Sequence, residues 1–482
     1  MSKAKRQELV DINAMKEPGS SGLASFADVT APNVEQGGPA GKGQFVYVDI
    51  SSVDNKTKRI TEPKTLDVAA APSRAKQRLQ TGDVLVSMTR PNLNAVAMVP
   101  PELDGSVGST GFHVLRADEH TEPRWLYYAV QTHHFISEMS ELVQGALYPA
   151  VRPKDIRAFG IPHPPLDQQK RIVAEIEKQF SRLDEAVANL KRVKANLKRY
   201  KAAVLKAAVE GRLVDTEAEL ARREGRTYET GAQLLQRILE TRRSQWKGKG
   251  KYKEPAAPDT TDLPELSVGW VWASVDQTAQ IISGLTKNPK REALPCKFPY
   301  LRVANVYANE LRLNEIEHIG VADSELEKLL VQRDDLLVVE GNGSPDQIGR
   351  VALWDGSIPN CVHQNHIIKV RFVDSSLPEW AMNWLLSPGG RQQIEQVSSS
   401  TSGLHTLSTG KVSRLPVPIP PLGEQYRIVA EVDRRLTLLR ETETQVDTNL
   451  QRAGRLRQAI LMRMFSGVQL NHLARIEMTT TR

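Results

Sequence analysis

Arginine, asparagine, glutamine, serine and lysine in loops can do one kind of chemistry without any catalytic group. They can hydrogen-bond base edges in a major groove, Arg to guanine and Asn or Gln to adenine, while Lys and Arg hold phosphates. Four loops of this chain carry that combination. Thr89-Arg-Pro-Asn-Leu-Asn94 offers Arg90, Asn92 and Asn94, and Gly341-Asn-Gly-Ser-Pro-Asp-Gln-Ile-Gly-Arg350 offers Asn342, Ser344, Gln347 and Arg350. Leu147-Tyr-Pro-Ala-Val-Arg-Pro-Lys154 offers Tyr148, Arg152 and Lys154, and Ser402-Gly-Leu-His-Thr-Leu-Ser-Thr-Gly-Lys411 offers His405 and Lys411. Surface loops are rich in Gly, Asn and Ser for turn geometry alone, so composition by itself does not assign them to DNA.

No reaction chemistry is legible. An adenine amino-methyltransferase needs an Asn/Asp-Pro-Pro-aromatic tetrapeptide to hold the target amine, and the Pro-Pro pairs here run on to Glu102, Leu166 and Leu422. A metal-dependent nuclease needs carboxylates with a Lys two residues after an acid, and neither Pro258-Asp259 nor Pro345-Asp346 is followed by that pattern in its domain. The phosphate-cradling Gly-x-x-x-x-Gly-Lys-Ser/Thr loop is missing. Cys361-Val-His363-Gln-Asn-His366 is the best metal-like cluster, but it lacks a partner pair at zinc-finger spacing and is expected to be structural or DNA-facing. His133-His134 has less support still. Neither a metal nor a cofactor is expected in this chain.

The elements that must position the four loops are written twice. HPPLDQQKRIVAEIEKQFSRL from His163 recurs as IPPLGEQYRIVAEVDRRLTLL from Ile419, 256 residues on, and the match continues to AAVLKAAVEG (Ala202 to Gly211) and QAILMRMFSG (Gln458 to Gly467). A fainter echo runs upstream in the same order. QFVYVDISSVDN (Gln44) faces KFPYLRVANVYAN (Lys297), GDVLVSM (Gly82) faces DDLLVVE (Asp334), and PRWLYYAV (Pro123) faces PEWAMNWL (Pro378). Each half is thus a divergent front followed by a preserved rear. The fronts alternate short β-branched runs with Gly/Pro/Asn loops and are expected to be mixed α and β heads.

The rear segments predict long amphipathic helices. Apolar residues fall at Ile176, Phe180, Leu183, Val187, Leu190, Leu197 and Val204, in steps of three, four and seven, and again at Ile428, Val432, Leu439, Val446, Leu450 and Ile460. Lys194 and Lys201, facing Leu450 and Arg457 in the other copy, interrupt the stripe, so a parallel homodimeric zipper is not expected. Pairing the two seams within one chain buries both. About 45 residues at roughly 1.5 Å each span on the order of 65 Å, enough for a spacer between two heads. A plain helical hairpin inside one core would produce the same periodicity, but repetition with a head before each copy favours the spacer.

The chain of 482 residues exceeds one core, so three or four structural units are expected. Lys+Arg 64 against Asp+Glu 57, with pI near 9.2, is a mild preference for a polyanion. The distribution is sharper. Asp167 to Leu213 holds 12 Lys/Arg against 6 Asp/Glu, and Arg242 to Lys253 holds six cations and no acid, reading as a flexible basic linker in which phosphate contact and a solvated tether are equally served. Two cysteines, Cys296 and Cys361, make no disulfide framework. The opening MSKAKRQELVDINAMKEPGS has no signal-peptide core, and no run of about 18 apolar residues occurs, so a soluble cytoplasmic protein is expected.

Pro164-Pro-Leu-Asp-Gln-Gln-Lys-Arg-Ile-Val and Pro420-Pro-Leu-Gly-Glu-Gln-Tyr-Arg-Ile-Val resemble the repeated "PPL..Q..I" opening of the conserved helices in specificity (S) subunits of type I restriction-modification systems. Leu263-Pro-Glu-Leu-Ser-Val-Gly-Trp270, with Trp272, is similar to the family's "LP..W" entry to a target-recognition domain, and Thr216-Glu-Ala-Glu-Leu220 to the central conserved region of some members. The first half lacks a clear entry, and Leu23-Ala-Ser-Phe-Ala-Asp28 is a loose counterpart of Trp272-Ala-Ser-Val-Asp276. The resemblance implies an α+β fold: two mixed α/β target-recognition domains separated by two long antiparallel helices, an intramolecular coiled coil with a pseudo-two-fold repeat. It places the first recognition domain at 1–160, a long helix at 161–214, a helical segment and basic linker at 215–262, the second recognition domain at 263–415, the second helix at 416–470 and a tail at 471–482. It implies that each domain reads half of a bipartite site in double-stranded DNA while the helices set the gap. Two modification subunits carrying S-adenosylmethionine would dock through Gln169, Arg171, Ile172, Gln425, Arg427 and Ile428, with ATP- and Mg-dependent restriction subunits joining them. The competing reading is a fused restriction or methylation enzyme with an unrecognised catalytic site.

Overall fold

A computed structural model describes residues 22–145, 147, 149–246, 248, 250–341, 347–398 and 406–479, with side chains as far as Ser466. The chain divides into two compact units, residues 1–191 with 447–482 and residues 192–446.

In the first unit the apolar run Val84–Ser87 is the middle of a three-stranded antiparallel sheet, between Phe112–Leu115 and Val96–Met98. Both faces of that run are buried, which is why its pattern is continuous rather than alternating. A four-stranded sheet, in the order Lys64–Asp67, Gln44–Val48, Val107–Ser109, Ala75–Arg78, contains the parallel register Tyr47↔Val107. The short strand Gly22–Ser25 pairs antiparallel with Gly160–His163, immediately before the first long helix.

The second unit repeats these devices. Leu336–Val339 lies between Ile367–Phe372 and Val351–Leu353, Tyr300 pairs in parallel with Val362, and Val271–Ser274 pairs with Pro416–Ile419 before the second long helix. The loose counterpart at residues 23–28 is a true one. Ser25 caps the turn Phe26–Val29, its N–H donating to Asp28 Oδ2 at 2.8 Å, and Ser274 caps Val275–Thr278, its N–H donating to Gln277 Oε1 at 2.9 Å. Trp125 Nε1 donates to the Pro162 carbonyl at 2.9 Å, and Trp380 Nε1 to the Pro418 carbonyl at 2.6 Å.

The long helices span Leu166–Val209 and Leu422–Thr479, the second running past residue 470, where the sequence pattern ended it. Each unit takes one end of each helix. In the first, Ile172, Ile176 and Phe180 share a core with Ile460, Leu461, Met464 and Phe465. In the second, Val204, Leu205 and Ala208 share one with Ile428, Val432, Leu436 and Leu439. In each unit the start of one helix meets the end of the other, so the pairing is antiparallel, with Leu183 against the first core and Leu197 against the second, and Val187 and Leu190 partly covered.

The segment 215–262 is more ordered than a tether. Helices Glu217–Glu224 and Gly231–Ser244 occupy its first half. Arg242 and Arg243 belong to the last turn of the second: Arg242 pairs with Asp276 at 3.0 Å and Arg243 with Glu254, so two of the six cations of the basic run are held within the chain. Lys247 and Lys249 lie outside the described residues. Among those residues no helix is long and apolar enough to cross a membrane.

Candidate nucleic-acid interface

The strand Val84–Ser87 delivers the chain to a tight corner. Arg90 and Asn94 both adopt left-handed backbone, φ 49° and 46°, on either side of a 3-10 turn Pro91–Leu93 whose first residue is pre-set by the proline ring. This geometry exposes Arg90 and Asn92 at the turn. Asn94 is spent inward: its Nδ2 donates to the Val130 carbonyl at 2.8 Å, and its own carbonyl accepts Lys58 Nζ at 2.5 Å. Asn94 therefore builds the loop and cannot reach a base, a correction to its assignment as a reader. Burial, with the Arg457 charge next, pushes the Lys58 ammonium down to about 8, against the pull of Asp54.

The second loop lies edge to edge with the first. Arg90 N–H donates to the Pro149 carbonyl and Val151 N–H to the Met88 carbonyl, both at 2.9 Å, around the antiparallel bridge Thr89↔Ala150. Lys154 is exposed in the short helix Pro153–Arg157. Arg152 is exposed too, but its guanidinium grips Asp155 at 3.0 and 3.1 Å, leaving less of its charge for a phosphate.

Two loops meet in the second head by the same device. Gly341 bridges Thr406, and Leu407 N–H donates to the Glu340 carbonyl at 2.7 Å. Lys411 is half-buried with its Nζ on the Thr406 carbonyl at 3.0 Å. Arg350 departs from expectation: it is buried, donating to the Val303 carbonyl and to Gln347 Oε1 at 3.2 Å each and lying 4.6 Å over the Tyr307 ring. It holds the base of its loop, and Gln347 is its partner rather than a free amide. Tyr148, Asn342, Ser344 and His405 lie outside the described residues.

The docking assignments divide by burial. Gln169 and Gln425 are fully buried, each Nε2 donating at 2.8 Å to the carbonyl five residues back, Pro164 or Pro420. These amides start the long helices, which explains the recurring Pro-Pro-Leu..Gln, and Ile172 and Ile428 fill the cores beneath. None of the four side chains presents a docking surface. Arg427 is engaged by Glu217 at 2.7 Å, whereas Arg171 is exposed.

Sequence reasoning missed a duplicated ion pair at the start of the strand that leads to each loop. Asp83 holds Arg116 at 2.7 Å, and Asp335 holds Arg371 at 2.6 Å; each carboxylate also accepts the N–H three residues earlier, from Gln80 at 2.9 Å and Gln332 at 2.7 Å. Its signal was in the repeat, where Gly82-Asp83 faces Asp334-Asp335 and Val114-Leu-Arg116 faces Lys369-Val-Arg371. Cys361 and His363 are buried beside that strand system. Burial pushes the Cys361 thiol up to about 12 and, with the Lys369 charge, the His363 ring down to about 4; His366 is exposed and meets Glu340 at 2.9 Å. Among the described residues no His, Cys, Asp or Glu group is placed to hold a metal.

Residues 37–199 match the family model for the type I restriction modification DNA specificity domain. The chain is 23% identical over 355 residues to the type I restriction enzyme EcoKI specificity subunit of Escherichia coli strain K12, covering 73% of this chain and 67% of that one. It is also 23% identical over 357 residues to the StySPI specificity subunit of Salmonella potsdam, with the same coverage. Among solved structures, a chain of a type I R-M system superposes with TM-score 0.66 at 24% identity, over 93% of this chain and 98% of that one. The HsdS subunit from Thermoanaerobacter tengcongensis gives 0.56 at 24%, over 94% and 98%. These two likenesses bear on the fold.

Proposed function

Since the chain belongs to the specificity subunits of type I restriction-modification systems, we propose that its two heads each read one half of a split site in double-stranded DNA through the paired loops just described. One observation carries this reading: the same antiparallel bridge, Thr89↔Ala150 in one head and Gly341↔Thr406 in the other, joins two polar loops at the same place in both repeats. In the first head that seam presents Arg90 and Asn92, an exposed pair able to address guanine and adenine edges, with Lys154 for a phosphate. The long helices, shared by both halves, set the gap between half-sites.

Two modification subunits assemble on this chain, on surfaces that include exposed Arg171, and restriction subunits complete the enzyme in the cytoplasm. S-adenosylmethionine, ATP and Mg belong to those partners, and no step of their chemistry falls to residues of this chain.

The test is methylation sequencing of a host expressing the chain with its modification partner. A bipartite methylated motif with fixed gap is the expected outcome, and Arg90→Ala or Asn92→Ala relaxes base preference in one half only. A continuous motif, or loss of both halves together in these variants, overturns the reading.

A further inference from the structure

The recognition loop of the first head is tied to the second long helix through one helix end. Helix Pro123–Ala129 stops at Val130, and two successive carbonyls there face different elements. The Val130 carbonyl accepts Asn94 Nδ2 at 2.8 Å, and the Gln131 carbonyl accepts Gln458 Nε2 at 3.0 Å. The same helix holds the other side of the loop: Tyr127 Oη donates to the Lys58 carbonyl at 2.9 Å, and Lys58 Nζ donates to the Asn94 carbonyl. Beside Gln458, Arg457 is fixed to the first long helix by Asp184 at 2.9 Å and by the Phe180 ring at 4.1 Å.

Asn94 ends the 3-10 turn in left-handed backbone, which asparagine visits more readily than most residues, so its side-chain bond to Val130 rather than backbone strain ties this corner to the helix end. Arg90 and Asn92 stand on the corner that this bond holds. Among the described residues, the long helix Leu166–Val209 offers the second unit no counterpart of Gln458. The repeat offset of 256 residues places Ala202 opposite Gln458, and Ala202 is exposed with only a methyl side chain.

We propose that Gln458 is a positioning residue for DNA reading by the first head alone, acting through the Gln131 and Val130 carbonyls and Asn94. The inference rests on the half-site reading above. A helix residue that touches no base thereby sharpens one half of the site, while the other half is read without help from the helix.

The experiment uses the chain assembled with its modification partner and reads methylation at sites carrying one substituted base. Gln458→Ala is expected to raise off-site methylation about three- to tenfold, the worth of one hydrogen bond, in the half-site that Arg90→Ala and Asn92→Ala also relax. Gln458→Glu keeps the shape but loses the donor and gives the same result. Asn94→Gly tolerates left-handed backbone yet lacks the Val130 bond, and it relaxes that half without touching the helix, which keeps the test alive if the Gln458 variants assemble poorly. Ala202→Gln leaves both halves unchanged. Equal relaxation of both halves, or none in either, in Gln458→Ala and Asn94→Gly overturns the proposal. If Arg90→Ala and Asn92→Ala themselves fail to act on one half, it is the half-site reading that falls.

Discussion

His363 has no exposed surface, and its Nδ1 faces the Ile367 carbonyl at 2.9 Å, so that nitrogen carries a proton and donates. Its Nε2 has no hydrogen-bond partner among the described residues. Burial, with the Lys369 charge next, pushes the ring down to about 4, and burial, with the Arg157 charge next, does the same to His113. The unfolded chain takes up these protons near 6.5, the fold only near 4, so between those values the unfolded state binds more protons. Stability is full above about pH 6.5 and is lost as pH falls toward 4, by up to about 3 kcal/mol for each ring. Thermal melts from pH 7 to 4.5 check this, and a flat profile would contradict it. At this scale the sequence was a partial guide. Residue type picked out Arg90 and Asn92 correctly as exposed polar groups, but it picked out Arg350 and Asn94 equally, although Val303 and Val130 consume them.

The recurring element is a buried carboxylate at the start of the strand that leads to each recognition loop. Asp83 and Asp335 are 1% and 2% exposed, and each closes a turn while holding the arginine of the neighbouring strand. Asp335→Asn or Asp83→Asn strands that arginine and is expected to cost roughly 3 kcal/mol, read as a lowered denaturation midpoint with unchanged m. A second element is the seat of the helix start in the second unit. Gly231 N–H donates to the Gly269 carbonyl, and a Cβ on Gly231 would overlap the Ile419 carbonyl oxygen at the end of the strand leading into the second long helix. Gly231→Ala should therefore destabilise this unit by about 1–3 kcal/mol in the same assay, since the obstructing atom is backbone and cannot turn aside.

At the scale of the whole molecule, the proposal makes the helices a ruler. Inserting one heptad into both, after Lys191 and after Val446, adds about 10 Å of helix, close to three base-pair steps, while turning the heads by roughly 20°. Methylation sequencing of that variant is expected to return unchanged half-sites with a wider gap; an unchanged gap would refute the ruler. By themselves the 482 letters determined the duplication, the two long helices with their seam and the Pro-Pro-Leu..Gln helix starts, because periodicity and capping are settled by neighbours within about one helical turn. Only the tertiary structure decided that Thr89 lies against Ala150 and Gly341 against Thr406, that Arg242 and Arg243 are bound rather than tethered, and which polar side chains remain free. Whether a loop Asn or Arg faces solvent depends on which distant carbonyl stands within 3 Å of it. That is fixed by packing across the sheet and the helix ends, a relation that spacing along the chain does not encode.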